Sequence, residues 1–223
     1  MVGTDTKFFE EVFPAWSKLK ESEQAQLKKA VQQKTFQKGE HLHQGLDHCS
    51  GLYLVKSGQL RVYIISQTGK EITLYRLFER DICLFSASCM MKNISFDIHV
   101  EAETETTALL VPTPVYQELM QTSLPIADYT NQLMASRFSD VMWVLEQVLF
   151  SSFDKRLASF LLEQRNIENS DQLHIIHEEI ANHLGSAREV VTRMLKYFQS
   201  EGIVTLARGE IMITDINKLK QYI

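Results

Sequence analysis

The sequence predicts an α+β chain in which helices frame an antiparallel β-roll and a compact helical unit follows. Three observations predict it. Strand-like runs alternate with Gly-containing turns through residues 34–112, at a spacing of about 10 residues. A long helix starting near Leu124-Pro125 carries apolar residues on two sides. Residues 151–223 combine amphipathic helical stretches with a closing hairpin. No strand–helix–strand alternation is present, which leaves doubly wound and TIM-type folds without support. A length of 223 residues suits two domains, and 44% hydrophobic residues is enough for a real core.

Residues 1–33 look helical and amphipathic: Phe8, Phe9, Val12 and Phe13, then Leu19, Leu27 and Val31, mark the apolar side. The roll begins next. Leu52-Tyr53-Leu54-Val55 ends at Ser57-Gly58, and Leu60–Ile65 ends at Gln67-Thr68-Gly69-Lys70. Ile72–Phe78, Phe96–Glu101 and Thr106–Val111 complete the strand-like runs. A short helix near Pro114–Met120 precedes the long one. There Met134, Phe138, Val141, Leu145 and Val148 recur at steps of 4, 3, 4 and 3. That is a heptad stripe, the pattern by which one helix packs on an equivalent helix. Leu133, Met142 and Leu149 lie on another side. Two apolar faces call for two partners, so one face is expected on the chain's own roll and the other on a second protomer. The alternative is a helix buried inside a monomer.

Net charge is −5 and the pI is near 5.8. Up to residue 150 there are 14 Lys+Arg against 18 Asp+Glu, and beyond it 9 against 10. No global positive field attracts nucleic acid, so any DNA contact must come from a local patch. No apolar run approaches the roughly 18–20 residues that span a bilayer. The N-terminus lacks a basic segment followed by an apolar one, which argues against export. The three cysteines, Cys49, Cys83 and Cys89, do not form a disulfide framework. A cytoplasmic protein with no membrane contact is expected.

Ser151-Ser152-Phe153-Asp154 offers cap residues for a helix carrying Leu157, Phe160 and Leu161. The run from His177 to Leu195 then reads as a helix-turn-helix. Ile180, Ala181 and Leu184 form the inner face of its first helix, with Ala181 small where the helices approach. Gly185 sits where the turn needs a positive φ, and Ser186 can cap the second helix. Val191, Met194, Leu195 and Phe198 make the inward stripe of that helix. Arg188, Glu189, Thr192, Arg193 and Lys196 therefore face outward. Gly202–Leu206, Ala207–Glu210 and Ile211–Thr214 follow as a β-hairpin, the wing of a winged helix. Motif plus wing points to double-stranded DNA.

On these residues the chain resembles the CRP/FNR transcription regulators. The resemblance covers nearly the whole length. It rests on Lys38-Gly39-Glu40, Leu52–Gly58 with its following strand, Gly69-Lys70-Glu71, the long helix and Arg188–Arg193. It implies an N-terminal antiparallel β-roll of the double-stranded β-helix or jelly-roll type with flanking helices, over residues 1–123. A dimerisation helix would occupy residues 124–150 and a winged helix-turn-helix residues 151–223. It further implies a homodimer reading a pseudo-palindromic operator, with RNA polymerase as a partner, in response to a signal felt by the roll. In the family an Arg-Glu-x-x-x-Arg pattern carries base contacts; here that is Arg188, Glu189 and Arg193. Arg suits guanine O6 and N7, and a carboxylate suits cytosine N4. Thr192, Lys196 and Arg208 fit phosphate contacts, and Ser186 lies at the same surface. Glu189 and Arg193 are also spaced for a surface ion pair.

The sensing half departs from the cyclic-nucleotide-binding members. These cradle a phosphate with a Gly-Glu step and an Arg-Ser or Arg-Thr pair. The corresponding positions hold Leu84-Phe85 and Phe96-Asp97. A phosphate would lose its guanidinium and meet a carboxylate, which argues against cyclic AMP. The pocket, expected from Leu74, Leu84, Phe85, Phe96 and Asp97, favours an apolar or uncharged small-molecule effector. Three thiols do not supply the usual four ligands of an iron–sulfur cluster. No resident cofactor is expected. His41, His43, His48 and Cys49 lie close enough to ligate metal or haem, and Cys83 and Cys89 could form a redox pair. For both sets an ordinary structural role is the default, as it is for His174, His177 and His183. The rival reading is a haem, thiol or small-effector sensor with DNA binding secondary. No nucleophile–base spacing, phosphate loop or carboxylate pair suggests an enzyme.

Overall fold

The computed structural model describes residues 2–44, 50–84 and 97–223, with the side chains of residues 2–5 excepted. The chain divides into two compact units. One comprises residues 1–64 and 74–141, the other residues 65–73 and 142–223. The division falls inside the long helix, between residues 141 and 142.

The first unit opens with helix α1 (Val2–Val12), a 3-10 turn (Trp16–Lys18) and helix α2 (Glu21–Ala30). Two four-stranded antiparallel sheets follow. One has the order β1 (Gln32–Phe36), β8 (Thr106–Pro112), β3 (Gly51–Ser57), β6 (Ile82–Cys83). The other runs β2 (His41–Gln44), β7 (His99–Ala102), β4 (Leu60–Ile65), β5 (Glu71–Leu77). This is the expected roll. Its interior is packed by Phe36, Tyr53, Val55, Leu60, Val62 and Val100 among others. The alternate residues of β3 and β8, including Leu52, Leu54, Leu109 and Val111, face a second core. There they meet Phe9, Phe13, Leu27, Tyr116 and Ile126 from the helices. Both faces of that sheet are covered, which is why β3 and β8 read as unbroken apolar runs. The register pairs Leu54 with Leu109 and Val62 with Val100.

Helices α3 (Thr113–Thr122) and α4 (Leu124–Phe150) follow β8. Leu133 of α4 is buried, and Met134 packs partly against both cores. Tyr116 anchors α3 to α4 through a buried hydroxyl hydrogen bond to Thr130 at 2.7 Å, and burial pushes its phenol up to about 12.

The second unit contains α5 (Phe153–Glu168), β9 (Gln172–Leu173), α6 (His177–Leu184), α7 (Arg188–Ser200), β10 (Val204–Ala207), β11 (Glu210–Ile213) and α8 (Ile216–Lys220). The three strands form an antiparallel sheet in the order β10, β11, β9. Its core gathers Leu157, Phe160, Leu161, Ile180, Ala181, Val191, Leu195, Phe198, Ile203 and Ile211. Burying each large apolar side chain here stabilises by roughly 1.5–3 kcal/mol. Several strands escaped the sequence reading: β1, β2, β6 and β9. No described helix is long and apolar enough to cross a membrane.

Candidate nucleic-acid interface

Gly185 ends α6 in the left-handed region, with φ +63°. The chain turns there, and the Ser186 N–H donates to the Ala181 carbonyl at 3.0 Å. Ser186 is not the cap of α7. Ala187 holds the N-cap position and makes no side-chain cap bond, because α7 starts one residue later than the Ser186 reading requires.

α7 is sharply two-sided. Val191, Leu195 and Phe198 are fully buried, with Met194 packed against the same core. Arg188, Glu189, Thr192, Arg193 and Lys196 recur on the opposite side and together line one concavity. The five residues expected to face outward are thus brought together. Among the described residues none of Arg188, Arg193, Lys196 and Arg208 has an ion-pair partner. The expected Glu189–Arg193 pair is not formed. Cations held on a helix without a carboxylate partner remain available to an external anion. Arg208 is carried separately, with Gly209, at the tip of the β10–β11 hairpin, where Ala207 pairs with Glu210.

Two supporting residues were not singled out for these roles in the sequence. Arg156 of α5 donates from its guanidinium to the Leu184 carbonyl at 2.9 Å and lies over the Phe153 ring. It ties α5 to the last residue of α6, 28 positions away in sequence. Arg156→Met keeps the apolar stem and orphans that carbonyl. It should destabilise the second unit by about 1–3 kcal/mol, read by urea denaturation followed through tryptophan and tyrosine fluorescence. An unchanged midpoint would show that water replaces the guanidinium. The second residue is His177, at the start of α6. Its Nδ1 lies 2.9 Å from the Thr192 hydroxyl. Burial, and secondarily the charge of Arg188, hold its imidazole below the ordinary histidine range, so the ring is neutral at neutral pH. His183 is also engaged, bonding Thr73 at 2.8 Å and lying against the Phe160 ring. His174 lies near Glu168 and Glu210.

The heptad stripe of α4 is largely uncovered. Phe138 is 67% exposed, and Leu145 and Val148 are also exposed; Val141 is half-buried. Met134 departs from the stripe by packing inward. Met142 and Leu149, expected on a face covered by the roll, are exposed as well, and Leu133 alone of that trio is buried. The helix is too long for its C-terminal half to share the cover that Leu133 finds.

In the roll, Leu84 is fully buried in the core beneath the helices, Leu74 is buried, and Asp97 is exposed. Phe85, Phe96, His48, Cys49 and Cys89 lie outside the described residues. Cys83 is fully buried in the roll interior. His41 lies 3.0 Å from the Tyr63 hydroxyl, and His43 is buried. Among the described residues no cluster of three or more His, Cys, Asp or Glu could hold a metal ion.

A roll joined through a long helix to a winged helix-turn-helix, whose basic face is unpaired among the described residues, defines a DNA-binding regulator. Two family models match the chain: a cyclic nucleotide-binding domain over residues 33–123 and a Crp-like helix-turn-helix domain over residues 155–222. A solved transcriptional regulator of the Crp/Fnr family from Eubacterium rectale is 52% identical, with a TM-score of 0.94 and coverage of 96% of this chain and 99% of that one. The regulatory protein HlyX of Actinobacillus pleuropneumoniae is 27% identical over 212 residues, covering 90% of this chain and 86% of HlyX. The fumarate and nitrate reduction regulatory protein of Vibrio cholerae is 28% identical over 215 residues, 91% of this chain and 83% of that protein. The chain belongs to the CRP/FNR family of transcription regulators, whose members are DNA-binding proteins and not enzymes.

Proposed function

We propose that the chain works in the cytoplasm as a homodimer on a pseudo-palindromic DNA operator, where RNA polymerase is its further partner, and that the roll senses the controlling signal. The observation that carries the DNA reading is the outward face of α7, where three cations stand without an ion-pair partner among the described residues, beside Glu189 and Thr192. Arg188, Glu189 and Arg193 have the donors and acceptor to read base edges in the major groove. Lys196 and, from the wing, Arg208 suit phosphate contacts. The uncovered stripe of α4 supports two-fold pairing. Two recognition helices set by such a dimer would enter successive major grooves about 34–36 Å apart. Selection of bound duplexes from a random pool should yield an inverted repeat with half-sites about one helical turn apart. Enrichment of a single half-site, or of nothing, would sink the reading.

The roll has a route to α4. The Arg137 guanidinium of α4 lies 4.7 Å over the ring of Tyr75, on β5, and bonds Asp140 at 2.8 Å. A change in the roll wall at Tyr75 would be felt directly at the helix proposed to hold the dimer.

The signal is not a cyclic nucleotide on this reading, and no iron–sulfur cluster is held. Leu84 occupies, as a fully buried core residue, a position where the phosphate-cradling relatives place glycine. A charged hydrogen-bond partner is worth about 1.5–3 kcal/mol, and the missing guanidinium removes one. Affinity for cyclic AMP should lie roughly one to two decades below that of a competent pocket. Titration calorimetry of the purified protein with cyclic AMP should give no micromolar isotherm. One site per protomer at micromolar affinity would overturn the assignment of residues 81–102.

A further inference from the structure

We propose that His177 is a positioning residue of the DNA interface: by taking the hydrogen of the Thr192 hydroxyl, it presents Thr192 to the major groove as a hydrogen-bond acceptor. This rests on α7 being the recognition helix. Thr192 lines the same concavity as Arg188, Glu189, Arg193 and Lys196, and its hydroxyl lies 2.9 Å from His177 Nδ1. A hydroxyl has one hydrogen to give and two lone pairs to offer. An imidazole nitrogen accepts when bare and donates when it carries the proton. The neutral ring carries a single proton, so one nitrogen must be bare. Nε2 has no partner among the described residues. We assign the proton to Nε2, because phosphate oxygens at the interface are acceptors only and would repel a bare ring nitrogen. Nδ1 is then the acceptor, and it holds the Thr192 hydrogen.

The consequence is a choice of partner for Thr192. With its hydrogen committed to His177, it offers lone pairs outward. These suit the exocyclic amine of adenine or cytosine, both donors in the major groove. They do not suit a phosphate oxygen, which needs a donor. Thr192, expected from sequence to touch phosphate, becomes a candidate base reader because a histidine 15 positions earlier orients it.

The test is the affinity of the full-length protein for its selected operator, for each single base-pair variant of a half-site, and for random duplex. Thr192→Val should lose about tenfold in discrimination at one base pair per half-site, with affinity for random duplex unchanged. Thr192→Ser should keep the profile. His177→Phe, which removes both nitrogens, should lose several-fold at the same base pair. His177→Asn should restore it, since its side-chain oxygen can take the hydroxyl hydrogen. Equal weakening of Thr192→Val on specific and random DNA would overturn the proposal. A wild-type profile in a folded His177→Phe variant would overturn it too. If Arg193→Ala relaxes its own base pair on the same panel while these variants do not, this proposal alone fails. If Arg193→Ala also leaves the profile intact, the recognition-helix reading fails with it.

Discussion

Phe138→Asp should convert the protein into monomers. α4 is 27 residues long, about 40 Å at ~1.5 Å per residue. Along it, Phe138, Leu145 and Val148 of the stripe stand exposed. An apolar row on a helix is stabilised when an equivalent row packs into it, and a two-fold axis lets the same residues serve both sides. Phe138 carries more exposed apolar surface than Leu145 or Val148, so it is the expected anchor. A carboxylate there would be desolvated without a cation and would meet its own symmetry mate. Loss of an anchor costs on the order of 2 kcal/mol or more, so the dissociation constant should rise by well over a decade. Light scattering or sedimentation across micromolar concentrations reads this directly. The variant should also lose affinity for a two-half-site operator while retaining weak binding to a half-site. An unchanged dimer mass would remove α4 as the interface.

What could be read from the sequence was whatever rested on local periodicity. α7 announces itself because Val191, Leu195 and Phe198 fall on one side and Arg188, Arg193 and Lys196 on the other. Gly185 marks the turn because only a residue without Cβ holds φ +63° easily. The strands β3 and β8 were visible as apolar runs. The hidden parts depend on distant partners. β1, Gln32–Phe36, is exposed except at Phe36 and is a strand only because it pairs with β8, Gln33 opposite Leu109. β6 and β9 have two residues each and exist by pairing with β3 and β11. Ser186 looked like a cap by residue type, yet backbone geometry gave that position to Ala187. The Arg156–Leu184 and His177–Thr192 contacts join residues that only tertiary packing brings together. The face of α4 bearing Met142 and Leu149 was misjudged because heptad position tells which residues share a side, not how far the covering domain extends.

Arg193→Ala should relax the operator at one base pair, whereas Lys196→Ala should weaken every sequence alike. Both side chains are exposed on α7, line the same concavity and lack an ion-pair partner among the described residues. Their chemistry differs. The Arg193 guanidinium has donors in a planar fork that matches guanine O6 and N7, so its loss falls on the cognate base, by about 1–3 kcal/mol. Lys196 is a compact charge without that fork, suited to a phosphate. Its removal should lower affinity on operator and random duplex by the same factor. The slope of log affinity against log salt should fall by about one contact's worth. Glu189, beside Arg193 and not paired with it, leaves the guanidinium free to turn toward the groove. Fluorescence anisotropy with the operator, its single-base variants and a random duplex, at several salt concentrations, separates the two. If Arg193→Ala lost affinity uniformly and changed the salt slope as Lys196→Ala does, Arg193 would be a phosphate contact, and base reading would pass to Arg188 and Glu189.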